Sequence, residues 1–586
     1  MLIIGGTTEG RKAVEVLDQS GKPFYYSTRS SEQDITSEHA MRITGGMDAH
    51  EMTDFCVQHH IRVLIDAAHP FATGVHQNVM TTALELGIPA IRYERKYPPR
   101  TSDIVWCADF TDAVHKLQHD GIKRLLALTG VQTIGKLQSY WQEHECWFRI
   151  LQRESSLGIA LQQGFPSDHL VYYPDDPMQA LRPDAILTKE SGESGGYLEK
   201  INEAKELGIR VYVVQRPALP DGFQTCNGPH GLRLLVQRLV PDFFDLHTGI
   251  TTGTCATAAA IAALTRQSPV WVHIPDGEDI PVDIHHIGNH SATVIKQAGD
   301  DPDLTDGIEI CATVSTFSSD ARYGGERIII KGGTGIGTVT LPGLGLPVGS
   351  PAINPVPQQM IRDNLLPLLK ENECVEVVIS TPQGEEIGAR TFNPRIGVQG
   401  GISIIGTSGI VQPFSNEARI ESIRREMSVG VATGAPRIVI NSGAKSEEFL
   451  RDYYSTLPPQ AFIHYGNFIG EAIRFADELG VTHLSLGLMI GKAVKLAEGH
   501  LDTHSHKITM NQTFIQQLVT EAGIRTEDLP PLNMARELWD ILSPDDMQRL
   551  ASVIIQHCHT HCDPLLPNGH LDILLISENG QILTQQ

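Results

Sequence analysis

Three groups of residues have the types and spacing that chemistry requires. In the first, Asp66 and His69 follow the apolar run Val63-Leu64-Ile65, at the carboxyl end of an expected strand, where open α/β sheets hold their ligands. A histidine in such a loop can deliver a proton, and it can equally cap the next helix. Lys189 takes the same position after Ala185-Ile186-Leu187 and just before Ser191-Gly192-Glu193-Ser194-Gly195-Gly196, a loop rich in backbone donors. Arg149, Arg153 and Arg216 also fall near strand ends. With Lys189 they form a set suited to carboxylates.

The second group consists of glycine turns. Gly5-Gly6-Thr7-Thr8-Glu9-Gly10 separates the apolar run Leu2-Ile3-Ile4 from a helical pattern beginning at Arg11. Strand, glycine loop and helix in that order cradle phosphate on free amides, although the spacing is not a full GxGxxG. Phe24 to Ser30 reads as a second strand ending in Ser27, Thr28 and Arg29. That position reads a ribose, and a basic residue there meets a 2′-phosphate or is simply solvated. Thr251, Thr252, Gly253 and Thr254 lead into consecutive alanines, a capped helix start that can hold an anion or open an ordinary buried helix. Gly333, Gly335 and Gly337 run into a β-like TVTLPG. No helix follows, so a dinucleotide fingerprint fails and the loop reads as close backbone approach to a large flat ligand. Asn354-Pro355-Val356-Pro357 then opens a helix.

The third group lies at the strand ends of the last third. Gly406-Thr407-Ser408-Gly409 follows an expected strand from Ile402 to Ile405, and Asn441-Ser442-Gly443 and Tyr465-Gly466-Asn467 follow two more. Small residues at successive strand ends are what an adenosine-type ligand needs to lie across a parallel sheet. His504 and His506 offer acid–base groups, or polar residues at a helix end. His557-Cys558-His559-Thr560-His561-Cys562 has metal-ligating types but no partner pair at zinc-finger distance, so no metal ligand is assigned. The acidic loop from Asp300 to Gly307 lacks EF-hand spacing and reads as a turn.

The elements that must position these groups are short apolar strands alternating with helices, the pattern of parallel α/β units. A chain of 586 residues exceeds what one core sustains, and three or four domains are expected. The pattern divides at 1–118, 119–242, 247–395 and 396–586. A formal charge of −23 argues against a nucleic-acid partner while leaving room for an anionic small molecule in a local basic pocket. Nine scattered cysteines make no disulfide framework, the strand-like start leaves no space for a signal peptide, and no apolar run reaches membrane-spanning length. A cytoplasmic, soluble protein is the expectation.

The segments IIGGTTEGRKAVEVL, DAAHPFA and TKESGESGGYLEKINEAKELGIRVYVVQRP together resemble cobalt-precorrin-6A reductase, over roughly residues 1 to 240. The resemblance implies two Rossmann-like domains and hydride transfer from NADH or NADPH to a tetrapyrrole double bond. It makes Asp66, His69 and Lys189 candidates for the proton, Gly5, Gly6, Thr7, Thr28 and Arg29 for the nicotinamide cofactor, and Arg149 and Arg153 for the substrate. Ala68 departs from the family, which usually carries Thr there. HTGITTGTCATAAA, GGTGIGTVTLPGLGLPVGSPAINPVP, GISIIGTSGIVQPFS, YGNFIG, GKAVKLAEG and THSHK resemble cobalt-precorrin-5B C-1 methyltransferase in order, from 247 to about 510. This second resemblance implies an α+β part like the second domain of ribosomal protein S5, followed by a Rossmann-like part. It implies S-adenosylmethionine at Gly406, Thr407, Ser408, Gly409, Asn441, Gly466 and Asn467. The macrocycle is expected against Thr251, Thr252, Gly253, Thr254, Gly333, Gly335 and Asn354, with His504 as an acid or base. Cobalt enters only with the tetrapyrrole. The expectation is a fused, bifunctional enzyme of cobalamin synthesis. Two alternatives stay open: one active half beside a ligand-binding or regulatory half, or a GHMP-like small-molecule kinase suggested by Pro342 to Pro347. Oligomerisation and docking of other corrin-pathway enzymes also stay open.

Overall fold

The structure, a computed structural model, describes residues 1–29, 34–173, 178–318, 326–504, 510–525, 532 and 534–585. It divides into two compact units, Met1–His247 with Gly277–Pro281, and Thr248–Asp276 with Val282–Gln586.

The first unit holds two parallel six-stranded sheets. In the first sheet the order is Gln224–Cys226, Ala90–Tyr93, Leu64–Asp66, Leu2–Ile4, Phe24–Thr28, Ala40–Thr44. Leu2, Ile3, Leu64 and Ile65 are fully buried, because helices cover both faces of a parallel sheet and its inner strands must be apolar on both sides. The strand order reverses between Leu2–Ile4 and Leu64–Asp66, which opens a crevice beyond their carboxyl ends. The second sheet runs Val105–Cys107, Arg210–Val214, Ala185–Lys189, Arg124–Ala127, Glu145–Leu151, Leu170–Tyr173. Its order reverses between Arg124–Ala127 and Ala185–Lys189, and Lys189 therefore ends a strand at the second crevice.

The chain crosses between these sheets earlier than residue 118. Val105–Cys107 already belongs to the second sheet, while Gln224–Cys226 and the helix Pro229–Leu239 return to the first. Apolar runs mark strands, but pairing is long-range, and neither the early crossing nor the return is written in local pattern.

In the second unit the helix Thr252–Thr265 is buried from Thr252 through Ala263. Small side chains on every side let neighbours approach it all round. It lies on the mixed sheet His286–Ile287, Ser291–Ile295, Glu309–Ser318, Glu373–Ser380, Ile328–Gly332, beside the helix Pro355–Leu365. A second sheet, Phe462–His464, Ile438–Asn441, His483–Met489, His570–Ile576, Ile582–Leu583, is parallel except for its last pair. Ile402–Ile405 is not one of its strands. Ile402 and Ile404 make single bridges to Ile336 and Ile353 instead, so this apolar run serves the glycine-rich part of the unit. Among the described residues no helix is long and apolar enough to cross a membrane.

Candidate functional site

The crevice of the first unit is built at the carboxyl ends of its strands, and it separates the sequence candidates sharply. Asp66 is fully buried. Its carboxylate meets His76 Nδ1 at 2.6 Å and Arg92 Nη1 at 2.8 Å and accepts the Ala68 amide. Although burial alone would raise its pKa, these partners hold it below the usual carboxylate range. A group so enclosed cannot reach a ligand, so the expectation of Asp66 as a proton donor is corrected: it anchors the strand end.

His69, Lys189 and Arg95 come together instead. The Phe71 ring lies between His69, at 5.9 Å, and the Lys189 ammonium, at 5.4 Å. Burial, then Arg95, Lys189 and Arg92, push His69 down to about 3. Its Nδ1 accepts the Phe71 amide at 3.2 Å, so the neutral ring keeps its hydrogen on Nε2. Burial, then Lys136 and Arg95, lower Lys189 to about 8. Lys200, which donates to Gly195 O at 2.8 Å, is lowered to about 8 by burial and by Arg149, Lys189 and Arg95. Arg95 reaches Glu9 at 3.0 Å and Ser191 O at 2.7 Å, and Ser194 also donates to Glu9. The loop after Lys189 is thereby tied to the first helix of the other sheet. Arg149 joins this basic cluster, whereas Arg153 is exposed beyond the end of its strand. Arg216 stands apart, against Glu190.

The turn after Leu2–Ile4 is half closed. Tyr26 fills the space where side chains at Gly5 or Gly10 would lie, and its hydroxyl accepts the Gly6 amide. Gly6, at φ +97°, faces open space. Thr7 caps the helix Thr8–Asp18 and donates to Ala67 O. Thr28 is buried and Arg29 exposed at the next strand end.

In the second unit, the Thr/Gly loop proves to be internal. Thr251, Thr252 and Thr254 are buried, and their groups are spent on the segment 403–409. The Gly253 amide donates to Ile405 O, the Thr254 hydroxyl to Gly409 O, and the Thr252 hydroxyl accepts the Ile405 amide. A side chain at Gly406 would collide with Thr251, and one at Gly409 would press on Ile274. Gly333 and Gly335 are likewise filled from within: Ser380 occupies the first position and Thr381 O the second. At Thr251 to Thr254, Gly333 and Gly335, where macrocycle contacts are expected, the observed contacts are those of the protein with itself. Gly406 to Gly409 end no strand of the parallel sheet, and only Thr407 of the four is exposed. Asn354 caps the helix Pro355–Leu365 through its backbone alone, its amide bonded to Ile404 O.

The parallel sheet of this unit gathers the other candidates. Asn441 is buried at a strand end, its side chain donating to Ile463 O and accepting the Gly443 amide. Gly466, at φ +60°, has open space beside it, as do Gly443 and Gly491. Lys492 donates to Gly466 O and, at 3.1 Å, to Asn467 Oδ1. Burial and Lys495 bring Lys492 down to about 8. Thr503 ties the next segment to Asn467 O, and the His504 amide is held by Asp502. His506 lies outside the described residues. Alternate residues of the 557–562 run point in different directions along the helix Pro544–Cys562: Cys558 and Cys562 are buried, His557 meets Glu521 and His559 meets Asp563. Among the described residues no group of three His, Cys, Asp or Glu is placed to hold a metal. The acidic turn bonds to itself and to buried Lys296, 2.6 Å from Asp303.

Comparison with known proteins assigns both halves. Residues 1–230 match the family described as precorrin-6x reductase CbiJ/CobK, and 241–413 and 502–586 match CbiD and its C-terminal domain. The cobalt-precorrin-5B C(1)-methyltransferase of Prosthecochloris aestuarii is 40% identical over 360 residues, covering 58% of this chain and 97% of the relative. The chain belongs to the cobalt-precorrin-5B C(1)-methyltransferase family. The Thermus thermophilus member is 40% identical over 284 residues, covering 47% of this chain and 75% of its own. Among solved structures, the cobalamin biosynthesis protein cbiD from Archaeoglobus fulgidus is similar at 28% identity and a TM-score of 0.26, over 45% of this chain and 83% of that one. CobK precorrin-6A reductase is similar at 20% identity and a TM-score of 0.34, over 41% and 96%. The chain is thus a bifunctional oxidoreductase and C-methyltransferase of cobalamin biosynthesis.

Within this methyltransferase-family chain, sequence reasoning missed Arg95, Lys200 and Glu426 as candidates. Arg95 follows the strand Ala90–Tyr93 by two residues and Lys200 lies in the helix Tyr197–Glu206; only their position near Lys189 in space marks them. Glu426 is 7% exposed with Oε2 unpartnered, and burial pushes its carboxyl up to about 7. Nearby Glu447 is held down to about 2 by His464, Arg395 and Arg451, against the opposing cost of burial. A lone Glu inside a charged helix pattern gives no sequence signal of this kind.

Proposed function

We propose that the two halves catalyse consecutive steps: S-adenosylmethionine-dependent C-1 methylation of cobalt-precorrin-5B to cobalt-precorrin-6A, then NADH- or NADPH-dependent reduction of that product to cobalt-precorrin-6B. The observation that carries the reading is the basic cluster of Lys189, Lys200, Arg149 and Arg95 at the crevice of the first unit. A polycarboxylate tetrapyrrole supplies the anions such a cluster needs. The residues present fit a nicotinamide dinucleotide: Gly6 leaves open space at a helix start, and Glu9, the nearby acid, is already paired with Arg95. When bound, that cofactor supplies hydride. Lys189, half protonated near pH 8, holds the proton for the neighbouring carbon, and neutral His69 orients the ligand through Nε2–H.

For methylation, the fit rests on the open positions at Gly443, Gly466 and Gly491 beside Asn441 and Asn467. A bound sulfonium donor supplies the methyl group. Asn441, Asn467 and Lys492 align it, since in-line transfer chiefly needs positioning. The parts 247–395 and 396–586 act here as an S5 domain 2-like part and a Rossmann-like part, and the enzyme works in the cytoplasm on cobalt carried by its substrate. Incubation of the full chain with cobalt-precorrin-5B and S-adenosylmethionine, followed by mass spectrometry, tests the first step; addition of reduced nicotinamide tests the second. A gain of one methyl and then of two hydrogens is expected. No mass change in either incubation overturns the reading.

A further inference from the structure

The first unit contains a second basic feature, at Glu190, the residue that follows Lys189. Glu190, 3% exposed at its side chain, is clamped by two arginines: Arg100 donates to both carboxylate oxygens at 3.0 and 2.8 Å, and Arg216 donates Nη1 at 3.0 Å and its backbone amide at 2.9 Å. One carboxylate thus serves two guanidinium charges. The Arg216 guanidinium stacks on the Tyr97 ring at 3.7 Å, which fixes its plane and leaves Nε and Nη2 without an acceptor among the described residues. A cavity of about 450 Å³ opens beside it, its wall including Pro70, Glu94, Arg100, Arg216, Ala218, Leu219 and Thr225. Glu94 is the one acid in that wall, and its oxygens are taken by Arg92, Tyr97 and the Arg95 amide. The polar wall therefore offers donors, and the rest is apolar.

We infer that this cavity is an anion subsite, separate from the Lys189 cluster, in which Arg216 binds one carboxylate or phosphate oxygen pair of a ligand whose body lies against Pro70 and Leu219. Pro70 adjoins His69 in the chain, so one residue of the cavity wall belongs to the loop that carries His69. The inference rests on the proposed reductase reading for its two candidate sources. These are an acetate or propionate arm of the tetrapyrrole and the 2′-phosphate of a dinucleotide. Arg100 keeps Glu190 paired when Arg216 is changed, so Arg216→Gln removes the free donors without stranding a buried carboxylate.

Two measurements on the full chain test it. In reductase kinetics, Arg216→Gln is expected to raise one KM about tenfold, the scale of a lost charge-assisted hydrogen bond, with Arg216→Lys recovering part of the loss. A rise for the tetrapyrrole alone identifies its carboxylate; a rise for NADPH with none for NADH identifies the phosphate. Ala218→Phe, which narrows the cavity without touching charge, should raise the same KM. Independently of turnover, propionate and inorganic phosphate are titrated against Trp106 fluorescence, since that ring lies 5.2 Å from the Arg100 guanidinium. A saturable response abolished by Arg216→Gln supports the subsite even if cobalt-precorrin-6A proves not to be the substrate. No saturable response, together with both KM values unchanged in Arg216→Gln and Ala218→Phe, overturns it.

Discussion

The strand ends at Lys189 and at Asn441 occupy equivalent places in two parallel sheets, yet they are furnished in opposite ways. Around Lys189 stand Lys200, Arg149, Arg95 and His69, with both lysines brought down to about 8, Lys189 by burial, Lys136 and Arg95, and Lys200 by burial, Arg149, Lys189 and Arg95. Around Asn441 stand glycines with open space, two amide side chains and a single lysine whose ammonium is turned onto Gly466 O and Asn467. The difference follows the chemistry proposed for each: reduction requires a stored proton and a grip on many carboxylates, whereas methyl transfer requires alignment. A shared sheet end therefore specifies where a ligand lies, and the side chains specify what is done to it.

The comparison breaks first if Asp66 belongs to the chemistry. As an anchor its removal should act on the fold: Asp66→Ala leaves Arg92 buried with one partner fewer, and a stability loss of about 3–5 kcal/mol in the first unit is expected, read by denaturant unfolding. Normal stability with lost reduction would return Asp66 to the reacting groups. Next in size is Lys189→Met, expected to slow reduction about 100-fold while methylation continues. In the wild type, reduction should fall as pH rises through about 8, because Lys189 then loses its proton. Lys189→Arg should move that alkaline limb upward, and an unmoved limb would assign it to another group. At the other sheet end, Gly466→Ala places a methyl group in open space at a positive φ. A rise of roughly tenfold in the KM for S-adenosylmethionine is expected, on the scale of about 1.4 kcal/mol, without effect on reduction.

How much of this was readable in advance depends on the range of the interaction. Leu2–Ile4, Leu64–Asp66 and Ala185–Lys189 were legible as strands because buried parallel strands are short apolar runs. Lys189 and His69 were legible as neighbours of a crevice for the same reason. The glycines misled, since the same residue type serves an open position at Gly6 and a backbone crossing at Gly335 against Thr381. Composition does not distinguish space left for a ligand from space taken by the chain. Arg95 was invisible because its partners, Glu9 and Ser191, are remote in sequence, and Lys200 because only folding brings the helix that carries it against Lys189 and Arg149.

The smallest effect concerns Glu426, among the described residues the one strongly raised acid near the methyltransferase sheet. Its partners Arg395 and His464 lower its pKa but burial outweighs them, and the carboxyl stands at about 7. A folded pKa above the unfolded value means that the folded state binds more protons between roughly pH 4.5 and 7. Stability is therefore lost as pH rises through that window, and the whole penalty is present above 7. Glu426→Gln removes the titration, so the variant should equal the wild type near pH 4.5 and become more stable by about 1–2 kcal/mol above pH 7. If the gain comes with unchanged methylation, the buried acid is a tolerated defect of packing and the contrast with the lysine-lined cleft stands. If the gain comes with lost methylation, the sheet end at Asn441 also keeps a titrating group for its reaction, and the two sites are less different than their furnishings suggest.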